Sequence, residues 1–213
     1  MGFTAKDTGG GFRQIPPGAY IGRCFSIIDM GTQTNEKFGK TAHKLQLKWE
    51  VFGEDEAGQP LTVTWEGRTM PMTIGKSYTV SLHEKAGLRK DLAAWRGRDF
   101  TADEAKAFDV SKLLGAYCMI NVTHSETNGK VYSNVAGLSP LPGALKNSKP
   151  EGVHALLRFD LDDPDLEVFD GFHESLQAVI KKSPEWAAKY GGGRSNATKQ
   201  AETADMADDD IPF

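Results

Sequence analysis

The residues with the most specific chemistry are the last six of the sequence. They are three carboxylates followed by an apolar tripeptide: Asp208, Asp209, Asp210, Ile211, Pro212 and Phe213. An acidic segment needs no Ile or Phe to stay soluble. A docking peptide, by contrast, places an aromatic ring in an apolar pocket and its carboxylates, here including the terminal one, against basic residues. The pattern therefore indicates a protein-docking tip at 208–213.

Other groups of residues suggest enzyme chemistry only weakly. Five aspartates lie close together in the sequence. Clustered carboxylates can hold Mg²⁺ in a nuclease, but a solvated acidic linker explains this cluster better. Its members are Asp160, Asp162, Asp163, Asp165 and Asp170. Residues 34–41 end like a P-loop but lack its first glycine, and no histidine or cysteine spacing matches a zinc site. We expect no catalytic site, metal or cofactor.

A third group, of cations and aromatic residues, has the chemistry of a surface that binds a single nucleic-acid strand. Such binding needs cations for phosphates and rings on which bases stack. The candidate cations are Arg23, Lys44, Lys48, Arg68 and Lys130, with Lys37 and Lys40 in the loop before the second strand. The candidate stacking residues are Tyr20, Phe38, Phe52, Tyr78 and Tyr132. Tyr132, beside Lys130, is the strongest aromatic candidate, whereas Trp49 and Trp95 have the spacing of core residues.

The elements that must position these residues belong to a chain of ordinary globular composition. It has 213 residues, 39% of them hydrophobic and 25% charged, which suits one main domain. No apolar run has membrane length and no signal peptide begins the sequence, so we expect a cytoplasmic protein. The net charge of -4 divides into +4 over residues 1–150, -5 over 151–190 and -3 over 191–213. A polyanion could therefore bind the first 150 residues.

The hydrophobic pattern predicts a mainly β protein. Period-2 alternation indicates strands over 18–31 and 41–52 and a third from 61 onward, which the segment after Gly67 extends or doubles. A helical period follows over 84–96, and Thr101-Ala-Asp-Glu has capping-box spacing. Alternation resumes on both sides of Asn128-Gly129, which indicates a hairpin. Three strands, a helical block and a hairpin are the chain order of an OB-fold, a five-stranded Greek-key barrel.

The rest of the chain divides around this barrel. An irregular lead-in is expected over 1–17 and the barrel over 18–140. A linker and a helical appendage follow over 141–190, with apolar residues at helical spacing from Phe169 to Ile180. A disordered tether is expected over 191–207, before the tip.

The tip resembles, residue for residue over Asp208 to Phe213, the C-terminal tip of bacterial single-stranded DNA-binding proteins. Residues 12–140 look more like phage-encoded members of this class. The resemblance implies an OB-fold that binds single-stranded DNA in the bacterial cytoplasm. It also implies a tip that recruits replication, recombination and repair proteins.

The sequence leaves alternatives open. The first is a non-enzymatic binder of single-stranded DNA. The second is an interaction protein that does not bind DNA and presents the tip as a mimic, which the acidic net charge favours. The third is the nuclease described above. Homo-oligomerisation and the preference between DNA and RNA also stay open.

Overall fold

A curled antiparallel sheet forms the body of the protein. The computed structural model describes residues 13–36 and 38–191, with only the backbone of Trp65. The strands are β1 (Gly18–Asn35), β2 (Lys40–Phe52), β3 (Thr62–Trp65), β4 (Arg68–Thr79), β5 (Tyr117–Thr127) and β6 (Lys130–Ser139). Their order across the sheet is β3-β4-β2-β1-β5-β6, and β4 also contacts β6. The prediction of a mainly β protein is confirmed.

Alternation on β2 sets the two faces of the sheet. Leu45, Leu47, Trp49 and Val51 are buried in the main core. On β1 the register against β2 shifts at Cys24/Ser26 and again at Asp29/Gly31. A β-bulge moves the following side chains to the other face. Ile27 therefore joins the main core, whereas Ile28 and Met30 face the opposite side.

Two tight turns join neighbouring strands. Asn128 and Gly129 both have positive φ, 52° and 72°, as a type I′ turn requires, so the predicted hairpin is confirmed. Glu66 and Gly67, with φ of 49° and 76°, make a second such turn between β3 and β4. Of the two possibilities for the third strand, that the following segment extends it or doubles it, the structure shows the second, a hairpin of two strands.

The helical segment between β4 and β5 packs against the main core. Helix α1 (Gly87–Arg96) buries Leu88, Leu92 and Trp95, the face that its spacing predicts. Thr101 and Glu104 form the predicted capping box at the start of α2 (Ala102–Lys106). A 3-10 turn over Val110–Leu113 then leads into β5.

The appendage is a second layer on the outer face of β1. Its short strand β7 (Leu157–Phe159) pairs in parallel with β1. Helices α3 (Leu166–Asp170), α4 (Glu174–Lys181) and α5 (Pro184–Tyr190) follow. The single helix expected from Phe169 to Ile180 is thus two helices, and β7 was not expected. A second core joins Ile28 and Met30 of β1 to Phe159, Phe169 and Trp186.

The described part of the lead-in, residues 13–17, has no helix or strand before Gly18 but is anchored to the sheet. Ile15 is 3% exposed in the main core. Arg13 pairs with Asp55 at 2.6 Å. No helix within residues 13–36 and 38–191 is long and apolar enough to cross a membrane.

Candidate nucleic-acid interface

The outer face of β2 and β4 presents the two lysines that the sequence singles out. Lys44, Gln46 and Lys48 alternate with the buried residues of β2 and so point away from the main core. Their register partners on β4 are the small residues Thr79, Ser77 and Gly75. At about 3.3 Å per residue, Lys44 and Lys48 start about 13 Å apart on one strand. The expectation that both lysines lie opposite the core is confirmed.

Each lysine lies close against the sheet. The Nζ of Lys44 donates to Oγ1 of Thr79 at 2.8 Å. A Cβ on Gly75 would lie 3.4 Å from Cγ of Lys48, so the stem of this lysine passes over the glycine. Burial lowers the pKa of Lys48 because it disfavours the charged ammonium. A phosphate beside this ammonium would favour the charged form.

Unpaired polar atoms lie between the two lysines. Oε1 of Gln46 and Oγ of Ser77 are buried, and neither has a hydrogen-bond partner among the described residues. The two residues are directly opposite each other on β2 and β4. Buried polar atoms are usually paired, so these two mark a place where a ligand or water could complete the surface. Sequence alternation places Gln46 on this face, but no sequence signal shows that its amide oxygen is unpaired.

Arg23 is held in an internal ion pair. Its Nη1 lies 2.5 Å from Oε1 of Glu50, a carboxylate with no solvent exposure. The other oxygen of Glu50 accepts from the backbone N–H groups of Val153 and His154, each at 3.0 Å. Burial raises the pKa of Glu50, but the hydrogen bonds from His154 and Arg23 outweigh it and lower the pKa overall. The prediction of Arg23 as an open groove cation is therefore wrong.

Two predicted stacking residues are core residues. Tyr78 is fully buried, and its hydroxyl donates to the carboxylate of Asp91 at 2.7 Å. Tyr20 is 9% exposed in the same core, with its ring against Gly53, where a Cβ would come within 2.7 Å of it. Neither ring can stack on a base, and both predictions are corrected.

The remaining candidates lie at the hairpin tips and strand ends. Phe38 is 51% exposed beside the exposed Lys40 at the β1–β2 tip. Lys130 is exposed beside the β5–β6 turn, and the partly buried Tyr132 follows it. Arg68 is exposed at the β3–β4 turn, and Phe52 is partly buried at the end of β2. Lys37 lies outside the described residues.

The register places these tips at the two ends of the β2–β4 face. The end of β2 pairs with the start of both β1 and β4, so the β3–β4 turn lies at that end. The β5–β6 hairpin also extends past the start of β1, because Gly18 pairs with Val122. The β1–β2 tip lies at the opposite end. Exposed cations and rings thus flank the face but do not meet at one point.

The appendage covers the neighbouring part of the outer surface. Residues 152–154 cross over Arg23 and Glu50, and the second core covers Ile28, the register partner of Gln46. Glu185 of α5 accepts from the hydroxyl of Thr32 at 2.6 Å and lies 3.5 Å from His43. The appendage therefore borders the β2–β4 face on the β1 side.

Two aspartates of the acidic cluster have structural partners. Asp160 pairs with Arg158 at 2.6 Å, and Asp165 caps the start of α3. No group of three or more potential metal ligands occurs among the residues that the structure describes. The predicted tip, Asp208, Asp209, Asp210, Ile211, Pro212 and Phe213, lies outside the described residues.

No protein-family model and no curated protein matches this chain.

Proposed function

We propose that the curled sheet is an OB-fold barrel that binds single-stranded DNA without sequence preference. The strand order β4-β2-β1-β5-β6, with helices between β4 and β5, supports the OB-fold. In that fold the second and third barrel strands, with the loops after strands one and four, bind oligonucleotides. Here those parts are β2, β4, the β1–β2 tip and the β5–β6 turn.

One observation carries this proposal. The β2–β4 face bears Lys44 and Lys48 in line, with unpaired polar atoms of Gln46 and Ser77 between them. Two cations about 13 Å apart on a strand can each meet a backbone phosphate. Exposed Phe38 and partly buried Tyr132 at the two ends add rings on which bases stack.

The DNA contacts that we propose follow from this placement. Cations at the face and at its ends neutralise phosphates, and the rings at the tips stack on bases. The proposed contacts are Lys44, Lys48, Lys40, Arg68, Lys130, Phe38, Phe52 and Tyr132. Binding of this kind needs no catalytic group, and the proposed role is to protect the strand.

The tip supplies the second part of the proposal. Residues 208–213 resemble the docking tip of bacterial single-stranded DNA-binding proteins. We propose that they recruit replication, recombination and repair proteins to the bound strand, in a bacterial cell or during phage infection.

Fluorescence anisotropy tests this function directly. Labelled single-stranded DNA, duplex DNA and RNA of one length are titrated with the full chain across a salt series. Tight binding that prefers the single DNA strand and weakens with salt is expected. No binding at low salt would contradict the proposal and leave the mimic hypothesis, in which the tip acts alone. Mg²⁺-dependent shortening of the strand would indicate the nuclease instead.

A further inference from the structure

A groove separate from the β2–β4 face lies on the other side of β1 from β2. It has a volume of about 390 Å³ and lies between the end of α1, the 3-10 turn, the first residue of β5 and the segment 140–149. It lies apart from the β2–β4 face because β5 pairs with β1 along the edge that β2 does not use.

The charged residues that line this groove are all basic. Arg96, Lys112, Lys146 and Lys149 belong to its wall, and none of the described lining residues is acidic. The three lysines are exposed. A carboxylate does hold Arg96 from one side, since Nη2 lies 2.7 Å from Oε1 of Glu104. The other side of the guanidinium is not neutralised in this way.

Arg96 has an unused donor. Its Nη1 is buried and has no hydrogen-bond partner among the described residues. The guanidinium lies 4.3 Å from the centre of the Phe100 ring, and this contact holds the group in place. An unpaired buried N–H is unfavourable until an acceptor reaches it. Arg96 lines the groove, and a charged oxygen bound against its guanidinium would supply that acceptor.

Two partly buried rings complete the groove. Phe108 and Tyr117 both line it. The hydroxyl of Tyr117 donates to the carbonyl oxygen of Pro150 at 2.6 Å, which fixes the ring. Nζ of Lys149 lies 5.4 Å from the centre of that ring. Fixed rings beside cations are the combination that binds bases and phosphates of a single strand.

We propose that this groove binds a short stretch of the same single strand that the β2–β4 face holds. The inference rests on the proposed function and deepens it. A base stacks on Tyr117 or Phe108, and phosphates meet Arg96 and the three lysines. The strand then contacts both flanks of β1, so the bound stretch is longer than the β2–β4 face alone would need.

Photo-crosslinking locates the strand. The full chain is irradiated with an oligothymidylate that carries 5-iododeoxyuridine, then digested with trypsin and analysed by mass spectrometry. Tyr117 falls in the tryptic peptide 113–130, apart from Phe108 in 107–112 and Tyr132 in 131–146. Fragment-ion spectra assign each crosslink to a residue, because peptide 113–130 also contains the β5–β6 turn. We expect crosslinks at Tyr117 or Phe108 in addition to those of the β2–β4 face. Crosslinks confined to the β2–β4 strands and the hairpin tips would overturn the proposal.

A charge-reversal variant with a matched control tests the energetics. Lys112→Glu/Lys146→Glu/Lys149→Glu changes exposed residues only, and Lys85→Glu/Lys90→Glu/Lys182→Glu changes the charge equally at exposed positions elsewhere. The slope of log K against log salt is negative, and we expect the groove variant to reduce its magnitude by about 2, at about 0.7 per lost phosphate contact. The control should keep the wild-type slope.

The outcomes separate the two proposals. If wild-type protein binds the strand and the groove variant behaves like the control, the groove proposal is refuted and the proposed function stands. If wild-type protein binds no strand, both are refuted. If a synthetic peptide of residues 206–213 protects the three lysines from acetylation and the oligonucleotide does not, the groove is a peptide site and the inference is also refuted.

Discussion

Replacing Gly31 with alanine should loosen the appendage from the sheet. Gly31 lies at a β-bulge of β1 with φ of +69°, a conformation that favours glycine. A Cβ at this position would lie 2.6 Å from Cβ of Ser183 and 2.8 Å from Cδ1 of Leu161. Ser183 is fully buried and caps α5, so it has little room to move. The absence of a side chain at 31 is what lets the α4–α5 junction approach β1.

The expected loss of stability has two parts. A non-glycine residue in the left-handed region costs about 1–2 kcal/mol. Forcing an extra methyl into a packed interface adds about 1–3 kcal/mol. The free energy of unfolding of Gly31→Ala should therefore fall by about 2–5 kcal/mol. Amide protons of residues 157–190 should exchange faster, while those of β5 and β6 stay protected.

Gly129→Ala is the matched control. Gly129 has φ of +72°, but a Cβ there would meet no atom within 4 Å. This variant should lose only the backbone part, about 1–2 kcal/mol. Urea unfolding and hydrogen exchange of both variants give the comparison. If Gly31→Ala is no less stable than Gly129→Ala, the close contact with Ser183 does not hold the appendage and the reasoning is refuted.

Three further predictions concern charge. The pKa of His43 is raised, mainly by its hydrogen bond to Asp29, so its stabilising contact is complete below about pH 6.5 and is lost as pH rises through the folded pKa. The difference in free energy of unfolding between wild type and His43→Gln, measured by urea unfolding, should therefore shrink toward about pH 9. A difference that does not change with pH would refute this. Glu50→Gln leaves the charge of Arg23 unpaired and should lower the free energy of unfolding by about 3–5 kcal/mol in the same assay. A decrease of less than about 1 kcal/mol would argue against the buried pair. Deleting residues 208–213 should leave oligonucleotide affinity equal or slightly higher, because three carboxylates no longer compete for the cationic face; weaker binding by the shortened chain would contradict this.

The sequence predicts correctly the features that depend on neighbouring residues along the chain. Alternation identified the faces of β2, so Lys44 and Lys48 were correctly placed opposite the core. Spacing identified the buried face of α1, and the side chains of Thr101 and Glu104 form the capping box that their spacing requires. Each of these features depends on residues within a few positions of one another.

The errors over Tyr20 and Tyr78 come from strands without a clear period. On β1 the core positions after Tyr20 are Gly22 and Cys24, which do not stand out as an apolar face. On β4 the partly buried Lys76 stands in the core phase between Ile74 and Tyr78 and interrupts the pattern. Where small or charged residues interrupt the alternation, the phase of a strand cannot be determined from it.

The appendage shows a different limit. A helical period indicates that a face is apolar but does not identify its partner. Ile28 and Met30 reach that partner only because the bulge between Cys24 and Ser26 changes the phase of β1. Glu50 likewise binds Val153 and His154, about a hundred positions away along the chain. Long-range contacts of this kind leave no mark within a single sequence, and they explain why Arg23 was misassigned.

The salt dependence of DNA binding by Lys44→Glu/Lys48→Glu tests the central claim most directly. Lys85→Glu/Lys90→Glu, at two exposed positions away from the β2–β4 face, is the control of equal charge. Two lost phosphate contacts should reduce the magnitude of the negative slope of log K against log salt by about 1.4 for the first variant, with no change for the control. Equal slopes for wild type and both variants would show that the β2–β4 face does not bind the strand.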